Sequence, residues 1–325
     1  MAKFNMVQAL NDALRLEMER DKSVVLMGED VGVDGGVFRV TDGLGAKFGK
    51  DRVIDTPLAE AGIVGTAVGL AINGIKPVVE IQFIGFAYEA FHQINHHMSR
   101  FRQRSEGLFP VPMVLRSPSG GGIKALELHS ESPETFFVHS QGIKVVVPSG
   151  PYDAKGLMIS AIRDPDPVIF LEPEKLYRSF KEDVPEEAYT IPLGEAKVVR
   201  EGKSITLIAW GAMLRLCLDV AEKVKAEGVD CEVIDLRTVW PLDEDKILAS
   251  VRKTGRAVVV YEAPKTCGFG SEIAARIQEK CILSLQAPVI RVASFDVPYP
   301  QFAVEDYFLP NATRVIKGIR DAMKY

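Results

Sequence analysis

DTPLAEAGIVGTAVGLAINGIKPVVEIQF, residues 55–83, decides the fold. A brief strand over Arg52 to Asp55 is interrupted by Pro57, whose ring has no N–H for a ladder. AEAGIVGTAVGLAING then reads as a helix of small side chains, stopped near Gly74. Small side chains let another backbone approach closely, so this helix is expected to be buried against a neighbour. Pro77 to Phe83 (PVVEIQF) reads as the next strand.

The same rhythm extends both ways. Upstream, apolar residues at 6, 10, 14 and 18 give a one-striped helix over Met6 to Arg20, and Ser23 to Met27 is a short buried strand. The Gly-rich run after it, GEDVGVDGGVFRVTDGLGAKFG, reads as functional loop. Downstream come a long helical segment (Phe86 to Gln103), strands at Val111 to Leu115 and Lys144 to Val147, a helix from Tyr152 to Ile162, and a strand at Val168 to Leu171. Strands alternating with helices predict an α/β fold with a mainly parallel sheet. Residues 172–202, rich in Glu, Lys and Pro, break the pattern as an ordered connector. We place a boundary near residue 190, giving domains at 1–190 and 191–325. The second shows its own α/β pattern: strands at Ile205 to Trp210, Cys231 to Ile234, Ala257 to Val260 and Val289 to Val292, with a closing helix from about Thr313.

With 47% hydrophobic and 26% charged residues among 325, the chain has globular balance. A net charge of -5 without a basic block argues against broad nucleic-acid binding. The uncharged stretch Ala61 to Ile75 is too short to span a membrane, and the N-terminus lacks a secretion signal. Cys217, Cys231, Cys267 and Cys281 are too far apart for CxxC chemistry and read as free thiols in a reducing cytoplasm.

Glu60 is the most informative residue. Near a helix start, a carboxylate is favoured by the exposed N–H groups, and a capping role is the plain reading. The functional reading is a carboxylate in an apolar interface that shares a proton with a ligand nitrogen. Glu29 and Asp30 end the first buried strand, where α/β sheets gather ligands, or form a solvated turn. Period two puts Glu80 and Gln82 on one side of their strand, and Phe86 or Tyr88 after it can stack on a planar ligand or simply pack. His129 follows a Gly-rich loop after a strand, SPSGGGIKALELHS, which can bring an acid or base to a site. His92, His96 and His97 give a weak HxxxH signal without a third ligand. The turn after Ala161 and Ile162, with Asp164 and Asp166, offers oxygens of the kind a hard cation accepts, or is an ordinary helix-to-strand turn. GxGxxG, GxxxxGK[ST] and GxSxG are all absent.

GEDVG…GGVFRVTDGL, DTPLAEAGIVGTAVGLAINGIKPVVEIQF, VLRSPSGGG…ELHSESPE, YDAKGLMISAIRDPDPVIFLEP and DLRTVWPLD together resemble the β subunit of the E1 component of a 2-oxo acid dehydrogenase complex, along essentially the whole chain. The resemblance implies a thiamine pyrimidine-binding-like domain followed by a transketolase C-terminal-like domain. It implies a catalytic Glu60, bonding N1′ of the aminopyrimidine of thiamine diphosphate and favouring its imino tautomer. Glu29, Leu58, Gln82 and Phe86 match other cofactor-pocket positions. His129 matches a histidine that guides proton transfer and acyl delivery to the lipoyl group of E2. Met113, Ala161, Ile162, Asp164 and Asp166 match a structural potassium site.

One absence adds to this. Thiamine diphosphate enzymes usually hold Mg²⁺ and the diphosphate through a GDG segment followed by Asn, and this chain has no GDG. The resemblance therefore implies that an E1 α subunit holds the Mg²⁺ and diphosphate, in an α2β2 heterotetramer. It also implies docking to the subunit-binding and lipoyl domains of E2, the first through an acidic surface and the carboxylate of Tyr325. PSGGG…HSESPETFFVHS looks more like branched-chain members, so a branched-chain 2-oxo acid is the expected substrate and pyruvate the alternative. Two rivals share paired α/β domains: a single-chain transketolase-like enzyme, and a noncatalytic electron-transfer flavoprotein-like subunit.

Overall fold

The computed structural model describes all residues, Met1–Tyr325. In chain order the strands are β1 (Ala2–Phe4), β2 (Val24–Gly28), β3 (Val53–Asp55), β4 (Lys76–Glu80), β5 (Val114–Ser119), β6 (Lys144–Val146), β7 (Val168–Pro173) and β8 (Glu182–Val184). They continue as β9 (Lys197–Arg200), β10 (Ile205–Ala209), β11 (Cys231–Asp235), β12 (Thr238–Trp240), β13 (Ala257–Pro264) and β14 (Ile290–Ser294). The first large sheet has the order β12-β6-β7-β5-β4-β2-β3, parallel except for β12. The second has the order β14-β13-β10-β11-β9, parallel except for β9. β1 and β8 pair antiparallel and tie the N-terminus to the connector.

Runs such as VVLM and VIFL form strands because both faces of each large sheet are covered, and β-branched side chains suit that surface. Period two sends Val78, Val114 and Phe170 into one apolar layer and Val79, Leu115 and Ile169 into the other. Both layers continue into the second sheet, through Leu207 and Val258 on one side and Ile208 and Val259 on the other. The helix Met6–Arg20 begins at a reciprocal cap: Gln8 N donates to Asn5 Oδ1 at 2.9 Å, and Asn5 N to Gln8 Oε1 at 3.1 Å. Its apolar stripe, Leu10, Leu14 and Met18, is buried; each such side chain contributes about 1.5–3 kcal/mol.

Three differences from the sequence reading have physical causes. The segment after Gln82 is no continuous α-helix. It runs as a 3₁₀ stretch (Ile84–Ala90), one α turn (Phe91–Gln93), a π turn (Ile94–Met98) and a short helix (Phe101–Arg104). This winding lets Phe86 meet His129 and Tyr88 meet Phe136, contacts that one helix face does not serve together. Second, β4 ends at Glu80, so Glu80 and Gln82 do not share a strand face. Third, β12 lies beyond residue 190 in sequence yet pairs with β6 at the edge of the first sheet. The two halves are further joined where Ser149 Oγ donates to Asp235 Oδ1 at 2.9 Å and Arg237 meets Asp153 at 2.8 Å.

Candidate active site

The C-terminal ends of three neighbouring strands, β4, β2 and β3, supply Gln82, then Glu29 and Asp30, then the segment Leu58–Glu60. Parallel sheets place ligands at such an edge. Gly28 is required where β2 meets β4, since a Cβ there would lie 2.8 Å from the Glu80 carbonyl oxygen. The Asp55 carboxylate accepts N–H bonds from Gly32 (2.6 Å) and Val33 (3.1 Å), holding the loop after Glu29 against the approach to Glu60. Gln82 Nε2 donates to Asp30 Oδ2 at 3.3 Å.

Glu60 opens the helix Glu60–Ile72, which has no side-chain N-cap. Burial pushes the Glu29 carboxyl above its ordinary value, and the nearby charges of Asp30 and Glu60 push the same way. None of these three carboxylates pairs with a Lys, Arg or His. The site therefore suits a group that brings a hydrogen-bond donor or positive charge to Glu60. Around it, Leu58 is 71% exposed, and Ala59, Ala61 and Gly62 are also exposed. The site is thus an open apolar face with acidic residues at its centre.

His129 arrives from the loop after β5. Its ring lies edge-on to Phe83 (centroids 4.3 Å apart) and Phe86 (5.2 Å). Nδ1 faces the Glu127 carbonyl oxygen at 3.1 Å; that oxygen only accepts, so Nδ1 is the donor and Nε2 has no partner within the chain. Phe83, which anchors this ring cluster and touches Phe38 as well, carried no sequence signal beyond its place as the last residue of the strand expected over Pro77 to Phe83.

Other candidates lie elsewhere. Tyr88 packs on Phe136. Glu80 is buried under the site and pairs with Arg116, which also donates to Glu172 through Nε (2.6 Å) and Nη2 (2.7 Å); Tyr177 Oη donates to Glu172 at 2.5 Å. The rings of His92 and His96 lie 4.8 Å apart on the surface, tilted at 31°, and no group of His, Cys, Asp or Glu side chains is arranged to hold a metal. At the turn expected to hold potassium, Lys144 Nζ meets Asp164 at 2.6 and 2.7 Å, and Arg102 pairs with Asp166. The Met113 carbonyl accepts from Val168 N at 3.0 Å and that of Ala161 from Asp164 N at 3.3 Å; Ile162 is buried. The carboxylates are thus neutralised by the chain's own cations, and they fit an added cation poorly.

Two family models match. "Transketolase, pyrimidine binding domain" covers residues 2–179, and "Transketolase, C-terminal domain" covers residues 194–315. A split-gene transketolase, solved as an inactive β4 tetramer, superposes with a TM-score of 0.81 over 99% of each chain at 22% identity, a likeness of fold. Proteins named pyruvate dehydrogenase E1 component subunit beta, from Staphylococcus epidermidis and Bacillus subtilis, are each 53% identical over 325 residues, all of both chains. One from Staphylococcus aureus is 52% identical over the same span. Fold and site thus define a protein of the transketolase type, with a pyrimidine-binding part followed by a transketolase C-terminal part. Within that class, the chain belongs to the family of E1 β subunits of 2-oxo acid dehydrogenase complexes.

Proposed function

We propose that this chain is the β subunit of a thiamine diphosphate-dependent pyruvate dehydrogenase E1, acting with an α subunit to decarboxylate pyruvate and pass the acetyl group to the lipoyl group of E2. The observation that carries the reading is the acidic set Glu29, Asp30 and Glu60, without a cationic partner, beside the Phe83–Phe86–His129 cluster. Those residues fit an aminopyrimidine: a carboxylate for a ring N–H, with aromatic and amide groups for its plane and edge. Glu60 would hold the proton at the ring nitrogen, and Glu29, Leu58, Gln82 and Phe86 would orient the ring. Bound thiamine diphosphate supplies the electron sink that 2-oxo acid decarboxylation needs. His129 Nε2, which has no partner within the chain, would move the proton as the lipoyl disulfide, the two-electron oxidant of the step, takes the acyl group on one sulfur and leaves the other as a thiol.

The exposed apolar rim at Leu58 and Ala59 supports a covering partner, and the missing GDG supports an α subunit that carries the Mg²⁺ and diphosphate holder. An α2β2 assembly and docking to the subunit-binding and lipoyl domains of E2 complete the proposal. The relatives named for pyruvate favour that substrate over the branched-chain acid expected from the 118–140 segment. Co-expression with the α chain, followed by comparison of kcat/KM for pyruvate and 3-methyl-2-oxobutanoate, tests this. A preference for pyruvate upholds the proposal, a preference for the branched acid restores the other reading, and no turnover of either rejects the enzyme assignment.

A further inference from the structure

The loop from Gly120 to Ser132, which presents His129, contains no helix or strand. Three of its non-glycine residues are left-handed: Lys124 (φ 63°), Leu126 (φ 69°) and Leu128 (φ 63°). Such a backbone persists only where its surroundings hold it. On one side the loop closes on itself, with Gly120 N donating to the Glu131 carbonyl at 2.8 Å, and Leu128 fits so closely over Gly85 that a Cβ there would overlap it. On the other side its amides run to two carboxylates far away in sequence. Gly121 N donates to Glu262 Oε2 at 2.8 Å, and Ser132 Oγ lies 3.5 Å from the same oxygen. Lys124 N donates to both oxygens of Glu305 at 3.1 Å. Glu305 is fully buried, and Tyr299 Oη donates to its Oε1 at 2.6 Å. Glu262 sits on β13 and Glu305 opens the short helix Glu305–Phe308.

We infer that Glu262 and Glu305 are positioning residues, by which the second half of the chain moors the loop that presents His129 to the site in the first half. Backbone N–H bonds to a carboxylate are among the stronger neutral-to-charged hydrogen bonds, and together they fix the loop at two points upstream of the imidazole. Neither carboxylate touches the proposed reacting groups; each acts through the loop. The inference rests on the proposed function for its kinetic consequence, while the mooring is a property of the chain alone.

The test uses Glu262→Gln and Glu305→Gln, with Tyr299→Phe as a gentler change that removes only the hydroxyl fixing Glu305. Trypsin cleavage after Lys124 in the full-length chain reports loop release. With the α subunit added, kcat and KM for acetylation of a free lipoyl domain report His129 placement. The mooring predicts cleavage accelerated in all three variants, and kcat lowered about 10- to 100-fold in the Gln variants. It also predicts KM for pyruvate within about twofold of the parent. Parent-like cleavage rates overturn it, as does accelerated cleavage with kcat unchanged. A Gln variant that does not fold leaves the decision to Tyr299→Phe, where the same two results apply. If the parent assembly turns over no 2-oxo acid, the functional reading fails, and cleavage rates alone decide the mooring.

Discussion

Glu60→Gln separates a catalytic carboxylate from a helix cap, because the two roles predict different magnitudes. As the first residue of the helix Glu60–Ile72, Glu60 gains about 0.3–1 kcal/mol from the N-terminal N–H groups. The neutral amide loses this but relieves repulsion with Glu29, whose carboxyl is pushed up partly by Glu60. For a partly exposed pair that relief is about as large, up to ~1 kcal/mol. The net change in stability is then below about 1 kcal/mol, and Tm moves by no more than about 2–4 °C. Loss of a positioned proton-handling group lowers turnover by about 10²–10⁴-fold, the equivalent of roughly 2.7–5.5 kcal/mol in the barrier. Calorimetry of the full chain gives the first number. Turnover by the α/β assembly at saturating thiamine diphosphate gives the second. The Glu29 carboxyl should also move back toward its ordinary value, read by carbon NMR of that side chain. Turnover within tenfold of the parent, with Tm moved by no more than about 2–4 °C, would show that Glu60 is only a cap and refute the reasoning.

Arg116→Leu strands Glu80 and Glu172 without their cation in the core, which should cost about 3–5 kcal/mol and lower Tm by about 6–20 °C. A urea melt of the variant against the parent checks it. Burial pushes Glu134 up to about 8 and Glu174 to about 7, and burial with the charge of Asp153 raises Asp235 to about 7. Each is raised above its unfolded value, so its contribution is full below the ordinary carboxylate range and is lost as pH rises through 7–8. The chain should therefore melt higher near about pH 5.5 than near about pH 8.5, and Glu134→Gln should flatten that slope by up to about 1.4 kcal/mol per pH unit. Leu58→Lys places a charge on the open apolar rim; it should leave the Tm of the chain alone unchanged and abolish co-elution with the α subunit on size exclusion.

The parallel core was legible because β-branched runs such as VVLM and VIFL alternate with helices and admit few other readings. Short pieces were not: β1, β8, β9 and β12 carry little pattern of their own and form because a neighbouring edge accepts them. Glu29, Glu60, Phe86 and His129 were visible as polar or aromatic residues at strand and loop ends. Gln82 was visible too, though its placement rested on a strand that in fact stops at Glu80. Phe83, Glu262 and Glu305 were not, since what they do depends on contacts across many residues of sequence.

An acidic cluster without a counter-charge, an uncovered apolar rim and a moored histidine loop have a common physical logic. Isolated, the chain bears the repulsion between Glu29 and Glu60 and the exposure of Leu58 without compensation. On the proposed function, both penalties would fall when a basic ring nitrogen met Glu60 and a second protein surface covered Leu58. By linkage, cofactor and partner should then each tighten the other's binding, and covering the rim should strengthen the ring contact by excluding water from it. The loop is held from the opposite direction, by carboxylates already satisfied within the chain, so the histidine stands in place before either arrives. On the proposed function, the fold thus leaves open the contacts that assembly would complete and keeps rigid the histidine that would act once they are made.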